Sequence, residues 1–309
     1  MNVRTIRCKN KQKELAFNCK THNIKVLGVV DHKIVHEDPL LYSDLDSHLL
    51  VTSSAWRNSN NASAGGVGFL IEKSVESALC EVKPWNERII IAHFNGNPAV
   101  TVITHYSPIE GSQDAEEHYN NLSAAIKEIP KHNLLLVIGD FNAHLDKDFG
   151  KFSYHSKANK NGDIMKDFIH ENNLLVTNTS FQKKVGKLWT FISDMSGQKS
   201  QVDFILINQK WRNSVKDCAA FNNFGSIGSD HRIVTAKVKV SLRTCKAPPR
   251  SPNYNWSVLK DDNISNLYTI SVHNRFQELC HEGDNVTETY AHLITATNEA
   301  AKQHIPVKN

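Results

Sequence analysis

Short apolar runs recur up to residue 240 of this 309-residue chain, and they restrict the possible fold more than any other feature. They lie at residues 67–71, 88–94, 100–106, 134–138, 188–192, 202–207 and 233–240 and are rich in Val, Ile and Leu. Several have no polar alternation, which suits strands covered on both faces. Two intervening segments carry apolar residues at helical spacing instead. One is 114–129, with Tyr119, Leu122, Ile126 and Ile129; the other is 163–173, with Ile164, Phe168 and Ile169 on one side. Pro130 and Asn133 end the first before the next strand. Many strands with few helices between them imply an α/β chain built as two packed sheets flanked by helices.

The pattern changes near Leu242. Residues 247–252 (Ala-Pro-Pro-Arg-Ser-Pro) read as a stiff linker, and residues 254–309 are polar, nearly free of Gly and Pro, and helical in pattern. The expected organisation is a domain at 1–242, a linker at 243–253 and a helical tail at 254–309. With 40% hydrophobic residues the chain has enough apolar surface for one sizeable core. No run approaches the roughly 18 apolar residues of a membrane span, and the N-terminus has no apolar leader, so no membrane partner is expected. Cys8, Cys19, Cys80, Cys218, Cys245 and Cys280 are scattered without C-x-x-C spacing. A zinc site is therefore disfavoured, and free thiols in a reducing, intracellular compartment are expected. The net charge of +4 excludes a wholly basic coat protein, so phosphate binding must be local. Arg4, Arg7, Lys9, Lys11 and Lys13 form one basic cluster, which on its own reads as a solvated face.

Four motifs carry the chemistry. Gly139-Asp140-Phe141-Asn142 follows the apolar run 134–138, and a carboxylate at a strand end is held by the sheet yet reaches solvent. Taken alone, Gly-Asp closes many strands as a plain turn. Ser229-Asp230-His231 precedes the run 233–240 and sets a hard oxygen ligand beside a proton donor. Taken alone it is a capped loop. Asp203 is the single charge in an apolar strand, a costly position unless it is paired, and its natural partner is an imidazole. Tyr106-Ser107-Pro108 ends another strand and offers a phenol to a phosphate oxygen, although a Tyr packed on a turn proline is commoner.

In this order the four motifs resemble the endonuclease/exonuclease/phosphatase superfamily, with DNase I and the apurinic/apyrimidinic endonucleases among its members. The likeness is greatest to the endonuclease domain of non-LTR (LINE-type) retrotransposons. It is supported by Asn2-Val-Arg-Thr5, Asn173-Leu-Leu-Val-Thr-Asn178 and Leu188-Trp-Thr-Phe191, and it covers roughly residues 1–240. The tail, with Tyr254-Asn-Trp and Val272-His-Asn-Arg-Phe276, is similar to the segment such elements place before their reverse transcriptase.

The resemblance implies a DNase I-like four-layer αββα sandwich, two mixed sheets flanked by helices. It implies Mg²⁺, with Mn²⁺ as an alternative, held by Asp31, Asp230 and Asn2. It implies that Asp140 orients the attacking water, that Asn142, Asn2, Tyr106 and Trp189 contact the substrate, and that His231, oriented by Asp203, stabilises or protonates the phosphate. The implied partner is DNA, with element RNA as a further one, and the implied site of action is the nucleus. Removing one fixed donor of this kind costs about 2.7–4 kcal/mol of barrier.

Two departures bear on activity. Asp31 stands where the family has Glu, one carbon–carbon bond or about 1.5 Å shorter, so Asp31→Glu is expected to raise metal affinity. The family's first strand precedes the Asn motif, and here Asn2 is the second residue, which predicts a loose terminus and an exposed sheet edge. The competing readings are a nucleic-acid-binding module with little catalysis and a relative acting on another phosphoester.

Overall fold

The structure, a computed structural model, describes residues 1–221, 227–245, 254–280 and 286–307. The chain divides into two compact units, Met1–Cys245 and Lys246–Asn309. In chain order the main elements of the first are α1 (Lys9–Thr21), β1 (Val26–Val30), β2 (Leu41–Leu45), β3 (His48–Thr52), β4 (Val67–Glu72), β5 (Leu79–Asn86), β6 (Ile89–Phe94) and β7 (Val100–Tyr106). They continue with α2 (Ala115–Lys127), β8 (Leu134–Asp140), α3 (Lys160–Glu171), β9 (Leu174–Val176), β10 (Asp203–Asn208), β11 (Val215–Ala220) and β12 (Val234–Val238).

Two sheets form the centre. One has the order β1-β4-β3-β2 and is antiparallel along its ladders, with a parallel bridge from Asn2 to Val30 at its β1 edge. The other has the order β9-β10-β8-β7-β6-β5 and is mixed, because β7 and β8 run parallel. Alternation along the strands sorts side chains into layers. Val51, Val67, Phe69 and Ile71 meet Ile90, Ala92, Val100 and Val102 between the sheets. On the far side of the six-stranded sheet, Ile89, Ile91, Val137 and Leu206 pack on Tyr119 and Leu122 of α2 and Phe168 of α3. On the far side of the other sheet, Leu27, Val29, Leu50 and Leu70 meet Leu15, Ala16 and Cys19 of α1. This is the four-layer αββα sandwich. The sheets approach closely at Gly28: a Cβ there would lie 2.5 Å from Thr104 Oγ1 and 2.7 Å from Ile138 Cδ1.

The apolar runs became strands with one exception. Within 188–192 only Phe191–Ile192 pairs, with Lys199–Ser200, after a 3₁₀ turn at Val185–Lys187. Thr190 explains this. Its N–H donates to Ser200 O, its carbonyl accepts from Arg232 N, and its Oγ1 accepts from the N–H groups of Val202 and Asp203. Its polar groups thus bond two different segments, 200–203 and Arg232, rather than one neighbouring strand.

Two further expectations are corrected. Cys80 and Cys245 form a disulfide across a sequence separation of 165, while Cys8, Cys19, Cys218 and Cys280 are free. The bridge ties the segment after β12 to the edge strand β5, and Cys245 N also bonds Ser77 O just before that strand. The residues at 1–3 are not loose. Val3 N donates to Val30 O, Val30 N donates to Met1 O, and the Met1 amino group donates to Gly28 O. Val3 is fully buried and Asn2 nearly so.

The second unit holds α4 (Asp262–Leu279) and α5 (Val286–His304). Asp261 caps α4 by accepting from Asn263 N and Ile264 N, and Tyr254, Ala301 and Ile305 form a small core. The Pro-rich linker 247–252 lies outside the described residues. Among the described residues no helix is long and apolar enough to cross a membrane.

Candidate active site

Register aligns the chemistry. β8 ends at Asp140, which faces Tyr106 at the end of β7 on one side and Asp203 at the start of β10 on the other. Three residues that lie far apart in sequence thus share one sheet edge. Gly139 permits the close packing just behind it: a Cβ there would stand 2.0 Å from His105 O. After Asp140 the chain turns through Asn142 at φ 47°, a conformation Asn tolerates better than most side chains. Asn142 N donates to Asp140 Oδ1 at 3.0 Å, and its Nδ2 donates to Ser107 O at 2.9 Å.

His231 reaches this edge from the loop before β12. Ser229 Oγ holds the loop by donating to Asn2 O at 2.7 Å and accepting from His231 N at 3.0 Å. His231 Nδ1 lies 2.9 Å from Asp203 Oδ2, so the lone charge on the apolar strand has the imidazole partner its position requires. The other ring nitrogen lies 3.9 Å from Asp140 Oδ2 and 4.0 Å from Asp230 Oδ1. Asn2 Nδ2 donates to Asp140 Oδ2 at 3.1 Å. A cavity of about 190 Å³ opens beside Asn142 and His231, lined also by Glu110, His144, Asn159 and Phe191.

Burial and charge act in opposite senses on the two central groups. Burial, reinforced by the neighbouring Asp203, raises the Asp140 carboxyl to about 6. Burial alone would lower His231, but the carboxylates of Asp203, Asp140 and Asp230 outweigh it and raise it to about 9. At neutral pH this gives a weakly basic carboxylate beside an imidazolium. Tyr106 is pushed up by burial and by Asp140 and Asp31, and it stays a neutral phenol.

The carboxylates here suit a hard divalent cation. Asp140, Asp203 and His231 each present an atom within 4.8 Å of the others, but His231 has no lone pair to give a cation while it is protonated. Buried Asp230 Oδ1 and Asp203 Oδ1 accept no hydrogen bond, as expected of oxygens with a cation to receive. Asp31 is more committed. Its Oδ1 accepts from Gly65 N at 3.0 Å and its Oδ2 lies 3.3 Å from Lys33 Nζ. Burial raises its carboxyl against the opposing pull of Lys33.

Of the residues expected from sequence, Asp140, Asn142, Asp203, Asp230, His231 and Asn2 come together, with Tyr106 on the adjacent strand end. Trp189 does not offer an open face. It is 7% exposed, with the Arg232 guanidinium 3.0 Å from its ring centroid and Lys199 at 5.0 Å. An aromatic beside the site that was not anticipated is Trp56, which stacks with Tyr106 at 6.4 Å and carries Arg88 over its ring at 4.3 Å. Phe191 was also missed: its ring lies 4.9 Å from that of His231. Phe191 ends the Leu188-Trp-Thr-Phe191 motif, where Trp189 was the aromatic expected at the site, whereas Trp56 sits in none of the motifs and left no signal. Arg4 was read as part of a basic cluster, yet it pairs with Asp230 at 3.4 Å and Asp194 at 2.8 Å.

A carboxylate–imidazole–carboxylate array at the strand ends of a four-layer αββα sandwich defines a class: the chain has the fold of the endonuclease/exonuclease/phosphatase, DNase I-like superfamily. Within it, residues 100–235 match the family described as endonuclease-reverse transcriptase. Craniofacial development protein 2 of Bos taurus is 30% identical over 229 residues, 72% of this chain and 37% of that protein. The chain therefore spans under two fifths of the length of that curated relative. The endonuclease domain of TRAS1, a telomere-specific non-LTR retrotransposon, aligns with a TM-score of 0.55 at 14% identity, covering 77% of this chain and 96% of that one. The 3'-5' exonuclease NExo from Neisseria meningitidis aligns at 0.56 and 17%, covering 77% and 97%.

Proposed function

We propose that the chain is a metal-dependent phosphodiesterase that hydrolyses nucleic-acid backbone, acting in the nucleus as a DNA-nicking endonuclease of non-LTR retrotransposon origin. The observation that carries this reading is the convergence of Asp140, Asp203 and His231 at one sheet edge, with the Asn2 and Asn142 side chains beside them. The similarity to the TRAS1 endonuclease domain supports the retrotransposon part.

Hydrolysis of a phosphodiester needs a base for the attacking water, stabilisation of charge on the phosphate oxygens, and a proton for the leaving oxygen. Asp140 suits the first task, because its raised carboxyl is ionised yet basic enough to take a proton near neutrality. His231 suits the second and third, because it carries a proton and Asp203 fixes its orientation from the Nδ1 side. Asn142 donates one amide hydrogen to Ser107 O and keeps a second for a phosphate oxygen. Tyr106 offers a neutral hydroxyl from the next strand end. Asp230, Asp31 and Asn2 would hold Mg²⁺ or Mn²⁺, which when bound supplies Lewis-acid stabilisation of the phosphate's negative charge.

The test is nicking of supercoiled plasmid by the purified chain with Mg²⁺, then with EDTA, alongside His231→Ala. Nicking that requires both the metal and His231 supports the reading. A folded wild-type protein that binds DNA without nicking it points instead to a binding module, and cleavage unaffected by His231→Ala removes the site assignment.

A further inference from the structure

The segment that carries Asp31 is held by backbone contacts on both sides. Asp31 N donates to Gly66 O and Lys33 N donates to Gly65 O, both at 2.9 Å. Asp31 and Lys33 both adopt positive φ, 58° and 61°. His32 between them is fully buried, accepting from Ile34 N through Nδ1 and facing Val67 O through Nε2. With the intervening residue locked inward, the side chains on either side of it meet: Lys33 Nζ stands 3.3 Å from Asp31 Oδ2. The other oxygen, Oδ1, is engaged by Gly65 N.

Each carboxylate assigned to the metal therefore carries a cation from the chain itself, but the two cations are not equivalent. Arg4 has a nearer carboxylate, Asp194, available when it leaves Asp230. Among the described residues, the ion pair of Lys33 is with Asp31 alone. We propose that Lys33 is an internal cation that competes with the divalent metal for Asp31, so that metal affinity is set in part by how readily the Lys33 ammonium departs. The inference rests on the reading of Asp31 and Asp230 as metal-holding residues. Lys33 is about one third exposed, and its flexible four-carbon stem lets it exchange this partner for water. The shorter Asp side chain fits the same arrangement, since it stays within reach of both Gly65 N and Lys33 Nζ.

The experiment is calorimetric titration of the full chain with Mn²⁺, without substrate, for wild type, Lys33→Met and Lys83→Met. Methionine keeps the volume and a Cβ that this backbone already tolerates. Lys83, on the edge strand β5 of the six-stranded sheet, pairs with Glu128 and serves as the control. Losing a competing partly exposed ion pair of about 0.5–1 kcal/mol tightens Mn²⁺ by about two- to fivefold in Lys33→Met, with no change in Lys83→Met. Circular dichroism establishes that each variant is folded, and Lys33→Gln repeats the test if Lys33→Met is not. Equal or weaker binding by the Lys33 variants, with binding abolished in Asp230→Asn, overturns the competition while the metal site stands. Undetectable Mn²⁺ binding by the folded wild type overturns the metal-site reading and this inference together.

Discussion

Replacing Asn2 with Ala tests whether the first residues belong to the site or merely precede it. The Asn2 side chain makes two bonds, Nδ2 to buried Asp140 Oδ2 and Oδ1 from Arg4 N. A bond to a buried ionised group contributes about 1.5–3 kcal/mol and a part-buried neutral one about 0.5–1.5. Alanine should therefore destabilise the protein by about 2–4 kcal/mol where Asp140 is ionised. The effect depends on pH, and its sign follows from Asp140. Its folded carboxyl is raised to about 6, above the unfolded value of 3.8, so the folded state holds the extra proton and stability falls as pH rises between the two. Removing the Asn2 donor raises the folded value further and widens that window. The loss in Asn2→Ala is thus larger at pH 8 than at pH 5, where the folded carboxyl is already protonated. Urea unfolding followed by far-UV circular dichroism at both pH values measures it. With a slope of about 2 kcal/mol per molar urea, a loss of 2 kcal/mol moves the midpoint by about 1 M. A shift under about 0.25 M at pH 8, or one equal at both pH values, would refute the buried Asn2–Asp140 bond.

Other consequences follow from single contacts. Gly139→Ala places a Cβ 2.0 Å from His105 O, a backbone atom that cannot swing aside, and should cost about 3 kcal/mol or more, read as a fall in melting temperature. His32, His105 and His118 are buried and held below the usual imidazole value of 6.5, His32 to about 4 and His118 to about 3. Between 6.5 and those values the unfolded chain binds protons that the folded chain does not, so stability falls with falling pH by about 1.4 kcal/mol per unit and group. His118→Gln should make that acid slope shallower by about one proton in denaturant titrations at pH 5 to 6.5. Reducing the Cys80–Cys245 bridge, which closes a very long loop, should cost about 2–5 kcal/mol, seen as a lower melting temperature with a dithiol reductant and no such shift in Cys80→Ser.

How much could be read from sequence follows the strength of local signals. β6, β7, β8 and β10 were legible because both faces are covered, which forces uninterrupted Val, Ile and Leu. β2 was not: Leu41-Tyr-Ser-Asp-Leu45 is an edge strand with two exposed positions, and its sequence resembles a loop. α1 was read as a basic surface because only Gln12, Leu15, Ala16 and Cys19 of its thirteen residues are buried. At the site, Asp140, Asp203 and His231 each stood out as a charge against an apolar strand, a contrast visible without structure. The disulfide and the Arg4–Asp230 and Arg88–Trp56 contacts join segments far apart in sequence and leave no local trace.

Asp31 shows the same limit in one residue. Read against the family pattern it is a Glu shortened by one methylene, and lengthening it should restore function. In the folded chain the carboxylate bonds Gly65 N, while the flanking backbone groups bond Gly65 O and Gly66 O. Gly65, at φ 66°, lies directly under the Trp56 ring, so the turn it occupies admits no side chain of its own and depends on such bonds for its position. A Glu carboxylate projects about 1.5 Å past the Gly65 amide and leaves a buried N–H without its partner. Asp31→Glu should therefore cost about 1–3 kcal/mol of stability in urea unfolding, whatever it does to metal affinity. An unchanged unfolding midpoint would mean that Asp31 anchors nothing, and that its shortness is a defect in the metal site after all.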